Sequence, residues 1–106
     1  MNLETGRALW AMLHAYAHTY PDAPTPVDVE RATAWLGHFD SAVAAASTGC
    51  NCRKHWQAIT TQQPPDLTSR TAFYWWSVMV HNSVNVRLGK PTQLVNVKDQ
   101  ARRAKD

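Results

Sequence analysis

Three proline-containing segments divide the 106-residue chain and leave only helix-length stretches between them. They read "YPDAPTP", "TTQQPPDLTS" and "GKP", and proline and glycine at such points end helices. Between these segments apolar residues recur every three or four positions, and no stretch alternates as a strand does. We therefore expect an all-α fold, a small four-helix bundle with a short fifth helix, forming one domain over residues 1–106.

The first helix is predicted over residues 4–19 and has two distinct faces. The apolar face consists of Leu9, Leu13, Tyr16 and Tyr20. The second face carries aromatic, imidazole and guanidinium groups and consists of Arg7, Trp10, His14 and His18. The chain has five tryptophans, and a tryptophan ring suits both core packing and stacking on a planar ligand.

The second helix has a strong start signal in "TPVDVE". Thr25 is a favourable N-cap and Pro26 fits the first helical position, while Asp28 complements the positive end of the helix dipole. We expect the helix to end near Gly49. Its apolar seam is predicted to consist of Val29, Ala32, Leu36, Phe39 and Val43.

The third helix is predicted to be short, beginning at the two cysteines and running to about Ile59. Thr68 or Ser69 caps the fourth helix. That helix is expected to run to Leu88, because Gly89 followed by lysine and proline is a stop signal. Its buried face is predicted to consist of Ala72, Phe73, Trp76, Val80 and Val84.

The charge distribution argues against a nucleic-acid-binding function. The formal net charge is +3, and much of the excess lies in a basic C-terminal segment, residues 91–106, where a last short helix is expected after Asn96. Nucleic-acid binders carry a denser basic stripe. Because no signal peptide and no membrane-spanning apolar run is visible, we expect a soluble protein without membrane association. The compartment stays open.

The only two cysteines, Cys50 and Cys52, lie in "STGCNCRKHW" at the predicted start of the third helix. Unpaired N–H groups at a helix start stabilise a thiolate, and Arg53 and Lys54 act in the same direction. With His55 the cysteines also form C-x-C-x-x-H, which is an incomplete set of zinc ligands. A redox pair, a zinc-binding module and two unrelated thiols remain alternatives at this point.

The spacing of the two cysteines restricts how they can bond to each other. Residues two apart on a regular helix differ by roughly 200° in direction, so their side chains point to opposite faces. A Cys50–Cys52 disulfide therefore requires Cys50 to lie outside the helix, and Gly49 supplies the backbone freedom for this. We expect so small a ring to be strained, and therefore easily reduced and oxidising.

The fourth helix carries a polar cluster in "VHNSVNVRLGK". His81 and Asn85 are four residues apart and share a face, with Asn82 beside them. An outward polar face is one interpretation of this cluster. Taken with Trp10 and His14 of the first helix, it indicates the lining of a site for a flat ligand with polar edges.

The same residues match a known family in two blocks. The chain contains "GRALWAMLH", where the Erv/ALR sulfhydryl oxidases have G-R-x-x-W-x-x-L-H, and it continues into "YPDAPTP" as they do. It also contains "HNSVNVRLGKP", where they have H-N-x-V-N-x-x-L-G-K-P. The chain resembles this family over about residues 5–91, and the resemblance implies a four-helix FAD-binding domain.

The resemblance also implies roles for particular residues. Cys50 and Cys52 are the expected catalytic pair, with Cys52 facing the cofactor and Cys50 exchanging with substrate. The activity implied is FAD-dependent oxidation of dithiols, in a protein or a small thiol, with oxygen as acceptor and hydrogen peroxide as product. The residues implied to bind FAD are Gly6, Arg7, Trp10, His14, Cys52, His81, Asn82, Asn85 and Lys90.

Three features depart from the family pattern. The motif is C-x-C in place of C-x-x-C, and the chain has no further cysteine for a shuttle or inter-subunit disulfide. Ala101 and Arg102 occupy the positions of an Arg-Trp pair that closes over FAD. The alternative function is therefore an inactive binding or assembly module of the same fold, with or without bound FAD.

The family commonly forms dimers through its first two helices, so the resemblance implies a homodimer. Apolar side chains that could extend such an interface include Trp35 and Phe39 of the predicted second helix.

Overall fold

Four helices make up the computed structural model, which describes residues 1–92. They are α1 (Leu3–Thr19), α2 (Pro26–Ala46), α3 (Cys52–Gln62) and α4 (Arg70–Arg87), and no strand is present in this range. The all-helical four-helix prediction is thus confirmed. The predicted last helix after Asn96, and the positions Ala101 and Arg102, lie outside the described residues.

Three of the four described helices, α1, α2 and α4, begin where a polar side chain accepts from an exposed backbone N–H group. Thr25 accepts from the backbone N–H of Asp28, and Asp28 accepts in return from that of Thr25, which completes a capping box. Ser69 accepts from Ala72 at 3.0 Å, so of the two predicted caps Ser69 is the one used. Asn2 caps α1, which begins at Leu3, one residue earlier than predicted.

The C-terminal end of α4 is closed by a Schellman motif. Gly89 has a positive φ of 70°, its N–H donates to the carbonyl of Val86, and the N–H of Lys90 donates to that of Asn85 at 2.8 Å. A residue with a side chain would be strained at this φ, which explains why glycine occurs here. The motif fixes the direction in which Lys90 leaves the helix.

The third helix is longer than predicted, and its end at about Ile59 was placed too early. Thr60 and Thr61 continue the helix, and their hydroxyls donate to carbonyls one turn back. The helix ends at Gln62 because Gln63 precedes Pro64, and a residue before proline is disfavoured in the helical region. The carbonyl of Gln63 accepts from the indole N–H of Trp76 at 2.6 Å, which ties this end to α4.

The core lies between α1, α2 and α4, with α3 packed against α2 and α4. The predicted apolar faces of α1 and α4 point into it, with Leu9, Tyr16, Ala72 and Val84 only half-buried. The prediction for α2 was wrong at Val29, which is 36% exposed, because no described helix covers the first turn. The buried apolar residues include Leu13, Ala17, Tyr20, Ala32, Leu36, Phe39, Val43, Trp56, Phe73, Trp76 and Val80.

Two features bear on the predicted partners. Phe39 is buried within its own chain, so of the two side chains predicted to extend an interface only the half-buried Trp35 reaches the surface. None of the described helices is both long and apolar enough to cross a membrane.

Candidate active site

A cavity of about 900 Å³ opens between α1, α3 and the C-terminal half of α4. Most of the residues predicted from the sequence to be catalytic or to bind the cofactor line it. These are Gly6, Arg7, Trp10, Cys50, Cys52, His81, Asn85 and Lys90. Further lining residues include Phe39, Val43, His55, Trp56, Val84 and Arg87.

One side of the cavity, which we call the α3 wall, consists of Cys50, Cys52, His55 and Trp56. The two cysteines form a disulfide with a Cα–Cα distance of 5.4 Å. Cys52 is the first residue of α3 and is half-buried, whereas Cys50 lies outside the helix and is exposed. The prediction that a Cys50–Cys52 disulfide requires Cys50 to lie outside the helix is therefore confirmed. That this disulfide is unusually oxidising stays a prediction.

Gly49 makes the local geometry of the disulfide possible. Its φ is +80°, in the left-handed region that favours glycine, and the turn it forms brings the N–H of Cys50 to the carbonyl of Ser47 at 3.4 Å. The next residue, Asn51, is the N-cap of α3, but its side chain makes no capping hydrogen bond. Within residues 1–92, no side chain accepts from the first N–H groups of α3 beside Cys52.

The opposite side, which we call the α1–α4 wall, consists of Trp10, His81 and Asn85, with His14 and Ser77 behind them. The rings of Trp10 and His81 are stacked, with centroids 4.0 Å apart and planes inclined by 10°. His14 lies behind His81, with its Nε2 3.1 Å from His81 Nδ1 and its Nδ1 3.0 Å from Ser77 Oγ. His14 and Asn82, both predicted to bind the ligand, do not line the cavity.

Both histidines of this wall are held in the neutral form. Burial, followed by the neighbouring His81 and His18, lowers the pKa of His14 from its ordinary 6.5 to about 4. Burial, followed by the positive charge of Lys90, lowers the pKa of His81 as well. Near neutral pH each imidazole therefore carries one proton, and offers one donor and one acceptor nitrogen.

The rim of the cavity is basic. Arg7 of α1, Arg87 of α4 and Lys90 after α4 all line it, and none of its described lining residues is an aspartate or glutamate. This excess of positive charge favours a ligand with anionic groups, such as phosphates. Arg87 was not predicted to belong to the site, although it lies close to the "HNSVN" cluster in the sequence.

Trp56 connects the two walls and was also missed as a site residue. Its ring packs edge-on against Trp10 at 5.8 Å, and its indole N–H donates to Asp40 at 2.7 Å. The available signal was its position four residues after Cys52, which places both on one face of α3. Ser77 was missed as well, since nothing in the sequence distinguishes it from an ordinary helical serine.

The zinc interpretation has no support in the described part of the chain. Residues 1–92 contain no group of three or more His, Cys, Asp or Glu side chains arranged to hold a metal ion. The disulfide also removes the two thiolates that C-x-C-x-x-H would have supplied.

Comparison with known families defines the class of protein to which this architecture belongs. The model of the Erv1 / Alr family matches residues 7–103 of this chain. Since the match extends over most of the sequence, the chain belongs to the Erv1/Alr family, and the resemblance found in the two sequence blocks is confirmed.

Individual relatives agree with this assignment. The chain is 31% identical to the FAD-linked sulfhydryl oxidase ERV2 of Saccharomyces cerevisiae over 87 residues, which cover 82% of this chain and 42% of that protein. It is 32% identical to an FAD-linked sulfhydryl oxidase of African swine fever virus over 88 residues, covering 83% of this chain and 71% of the viral protein. This chain therefore spans less than half the length of the yeast relative.

A solved structure shows the same fold. The FAD-binding domain of Erv1 from Saccharomyces cerevisiae superposes with a TM-score of 0.77 at 29% sequence identity. The superposition covers 100% of this chain and 96% of that domain. The four-helix arrangement is thus shared from end to end.

Proposed function

We propose that this protein is an FAD-dependent sulfhydryl oxidase that converts substrate dithiols to disulfides and passes the electrons to oxygen. The observation that carries the proposal is the Cys50–Cys52 disulfide opening onto the same cavity as the stacked Trp10–His81 pair. Thiol oxidation with a flavin requires a reactive disulfide next to a cavity that can hold a planar ring system and anionic phosphates. The family and the names of the relatives support it.

The cavity fits FAD in size, shape and charge. Its volume of about 900 Å³ lies at the upper end of the range for ligand sites, as a large dinucleotide needs. The Trp10–His81 pair offers a flat aromatic surface, and Asn85 supplies amide hydrogen-bonding groups. Arg7 and Lys90 supply cations for a pyrophosphate, with no acidic group among the described lining residues to oppose them.

The other ligand-binding assignments remain part of the proposal. Gly6 and Cys52 line the cavity and would contact FAD directly, whereas His14 would act through its hydrogen bond to His81. Asn82 is half-buried beside His81 on α4 and is proposed to support the same edge of the site.

The protein side of the reaction starts at Cys50. Because Cys50 is exposed and Cys52 is half-buried, an incoming substrate thiolate reaches the Cys50 sulfur first. Its attack forms a mixed disulfide and breaks the Cys50–Cys52 bond, and the leaving Cys52 thiolate is stabilised by the uncapped N–H groups of α3. The second substrate thiol then displaces Cys50, which leaves an oxidised substrate and a reduced cysteine pair.

FAD, when bound, supplies the two-electron acceptor that restores the cystine and delivers the electrons to oxygen as hydrogen peroxide. The chain holds no further cysteine to act as a shuttle. Because Cys50 is exposed, we propose that a small thiol, or an exposed dithiol of a protein, reaches it directly.

The visible spectrum of the purified protein and its oxygen consumption with dithiothreitol test the proposal. We expect a flavin spectrum that bleaches when dithiothreitol is added without oxygen, and oxygen uptake that disappears in Cys52→Ala. A colourless protein that takes up no added FAD would contradict the proposal. Bound flavin that thiols do not reduce would contradict the oxidase activity and favour the inactive binding module.

We also propose that the protein forms a homodimer through α1 and α2. Apolar side chains remain exposed on both helices, since Met12 and Val27 are each 52% exposed and Trp35 of α2 is half-buried. Analytical ultracentrifugation tests this, and a monomer at high protein concentration would contradict it. Met12→Lys is expected to shift the equilibrium towards monomer, while His38→Lys on the exposed side of α2 serves as the control.

A further inference from the structure

Ser77 is the fully buried end of a chain of hydrogen bonds that leads to the cavity. Its Oγ lies 2.7 Å from the carbonyl oxygen of Tyr74 and 3.0 Å from His14 Nδ1. The shorter distance is typical of O–H···O hydrogen bonds and the longer of N–H···O hydrogen bonds. Since a hydroxyl has a single proton, Ser77 donates to Tyr74 and accepts from His14.

This direction determines the tautomer of His14. A neutral imidazole has one N–H, and the contact with Ser77 requires that proton on Nδ1. His14 Nε2 is then an acceptor, and the group 3.1 Å from it is Nδ1 of His81. His81 must therefore donate from Nδ1, which leaves its Nε2 unprotonated.

The last nitrogen of this series of hydrogen bonds is Nε2 of His81, a residue that lines the cavity. His81 lines the cavity with its ring stacked on Trp10, and within residues 1–92 its Nε2 has no hydrogen-bond partner. The Nε2 atom can accept one hydrogen bond and cannot donate one. A ligand group bound there must consequently be an N–H or O–H donor, such as the ring N–H of a flavin or a sugar hydroxyl.

We propose that Ser77 is a positioning residue that fixes both histidines as Nδ1–H tautomers, so that His81 presents an acceptor nitrogen to the bound ligand. The tautomer pattern concerns the protein alone. The identification of the ligand as FAD rests on the proposed function. In water a neutral histidine prefers the Nε2–H form, so two Nδ1–H histidines require a cause, and the fixed acceptor at Ser77 supplies it.

The tautomers are measured directly by NMR on the full-length protein labelled with ¹⁵N-histidine, near pH 8. Long-range ¹H–¹⁵N correlations distinguish protonated from unprotonated ring nitrogens, and His14→Gln and His81→Gln assign the signals. We expect Nδ1–H for His14 and His81 in the native sequence. An Nε2–H tautomer at either residue would contradict the direction of donation inferred for these hydrogen bonds and overturn the proposal.

Ser77→Ala tests the role of the hydroxyl, with Ser83→Ala as the matched control. Ser83 lies on the same helix and its hydroxyl also donates to a backbone carbonyl, that of Met79, but it does not contact either histidine. Ser77→Ala is expected to move His14 and His81 towards Nε2–H, while Ser83→Ala leaves their signals unchanged. Unchanged Nδ1–H tautomers in Ser77→Ala would show that Ser77 does not set them.

The ligand part has its own measurement, the affinity for added FAD. We expect Ser77→Ala to bind FAD about tenfold more weakly than the native protein, as the loss of one hydrogen bond implies, and Ser83→Ala to bind it equally well. Altered tautomers with unchanged FAD affinity would overturn the link to the ligand. If the native protein binds no FAD, the proposed function fails, and the NMR result still decides the role of Ser77.

Discussion

The α3 wall and the α1–α4 wall of the cavity are held in place in different ways. On the α3 wall, the reactive pair lies at an exposed turn and is joined by one covalent bond between residues two apart in sequence. On the α1–α4 wall, rings and buried polar groups from two helices hold each other through stacking and hydrogen bonds. On the α3 wall, the residues that carry the chemistry therefore contribute little to stability. On the α1–α4 wall, the residues that line the site also hold the two helices together.

The largest expected effect is the loss of activity on the α3 wall without loss of the fold. Cys50→Ser and Cys52→Ser should each reduce oxygen consumption about a thousandfold or more, equivalent to about 4 kcal/mol in the barrier, because no disulfide remains to accept electrons. The free energy of unfolding should fall by only about 2 kcal/mol or less, since the disulfide closes a very short loop.

Oxygen uptake and urea unfolding measure the two quantities for each cysteine variant. Asn51→Ala is the control, because its side chain lies between the cysteines and makes no capping hydrogen bond. A cysteine variant that unfolds, or one that retains full activity, would contradict the separation of chemistry from stability on this wall.

Trp56 is the exception on the α3 wall, since it joins that wall to the core. Trp56→Ala should lower the free energy of unfolding by about 4 kcal/mol, because a buried aromatic ring is lost and its contacts with Trp10 and Phe39 disappear. Urea denaturation measures this. His55→Ala, at the preceding half-buried position of the same wall, should cost less than about 1 kcal/mol. An equal loss of unfolding free energy in the two variants would contradict the role of Trp56 in joining the α3 wall to the core.

Because the buried histidines of the α1–α4 wall are part of the packing between its two helices, the stability of the fold should depend on pH. The pKa of His14 is lowered to about 4, so between pH 4 and 6.5 the unfolded chain binds more protons than the folded one. The contribution of His14 to stability should therefore be constant above pH 6.5 and fall as the pH decreases towards 4. Between pH 6.5 and pH 4 the loss of folding free energy would be about 3 kcal/mol. Because His14 is partly in contact with solvent, we expect about 2 kcal/mol.

Urea titrations at a series of pH values measure this slope. The groups facing His14 are His81, His18 and Tyr74, and burial also lowers the pKa of His18 and His81. His14→Gln should flatten most of the slope, while His38→Gln, at an exposed position of α2, should leave it unchanged. An equal slope in the native protein and His14→Gln would show that His14 is not its cause.

The smallest effect is expected far from the cavity, at the capping box of α2. Thr25→Ala removes the side-chain acceptor of that box and should cost about 1 kcal/mol of folding free energy. Thermal unfolding measures this, with the exposed Thr33→Ala as control. Flavin affinity should stay unchanged in both variants, and a loss of flavin in Thr25→Ala would show that the site depends on this remote end of α2.

Much of the fold could be predicted because its causes are local. The proline segments, the Thr25 cap and the stop at Gly89 each act through residues within about four positions, so the pattern of residues specifies them directly. The error at Val29 arose because a distant part of the chain decides whether this position is covered. Val29 fits an apolar seam by spacing, yet nothing packs over the first turn of α2 in the described structure.

The candidate site was predicted in part for the same reason. Trp10, His81 and the cysteines belong to recognisable patterns, and the structure brings them to one cavity. Trp56 shares a face of α3 with Cys52 and Arg87 follows the "HNSVN" cluster, but only the placement of α3 and α4 beside α1 shows that both line the cavity. Periodicity along one helix does not specify which faces of separate helices meet.

By itself the sequence determined the four helices, the start of α3 at the two cysteines and the need for Cys50 to lie outside that helix if the two are bonded, because helix geometry and glycine conformation act over a few residues. Only the tertiary structure decided that His14 finds Ser77, 63 positions along the chain, and His81 beside it. That pairing depends on the register with which α1 packs on α4. Since core packing sets this register, two ordinary histidines and a serine become one hydrogen-bonded chain only in the folded protein.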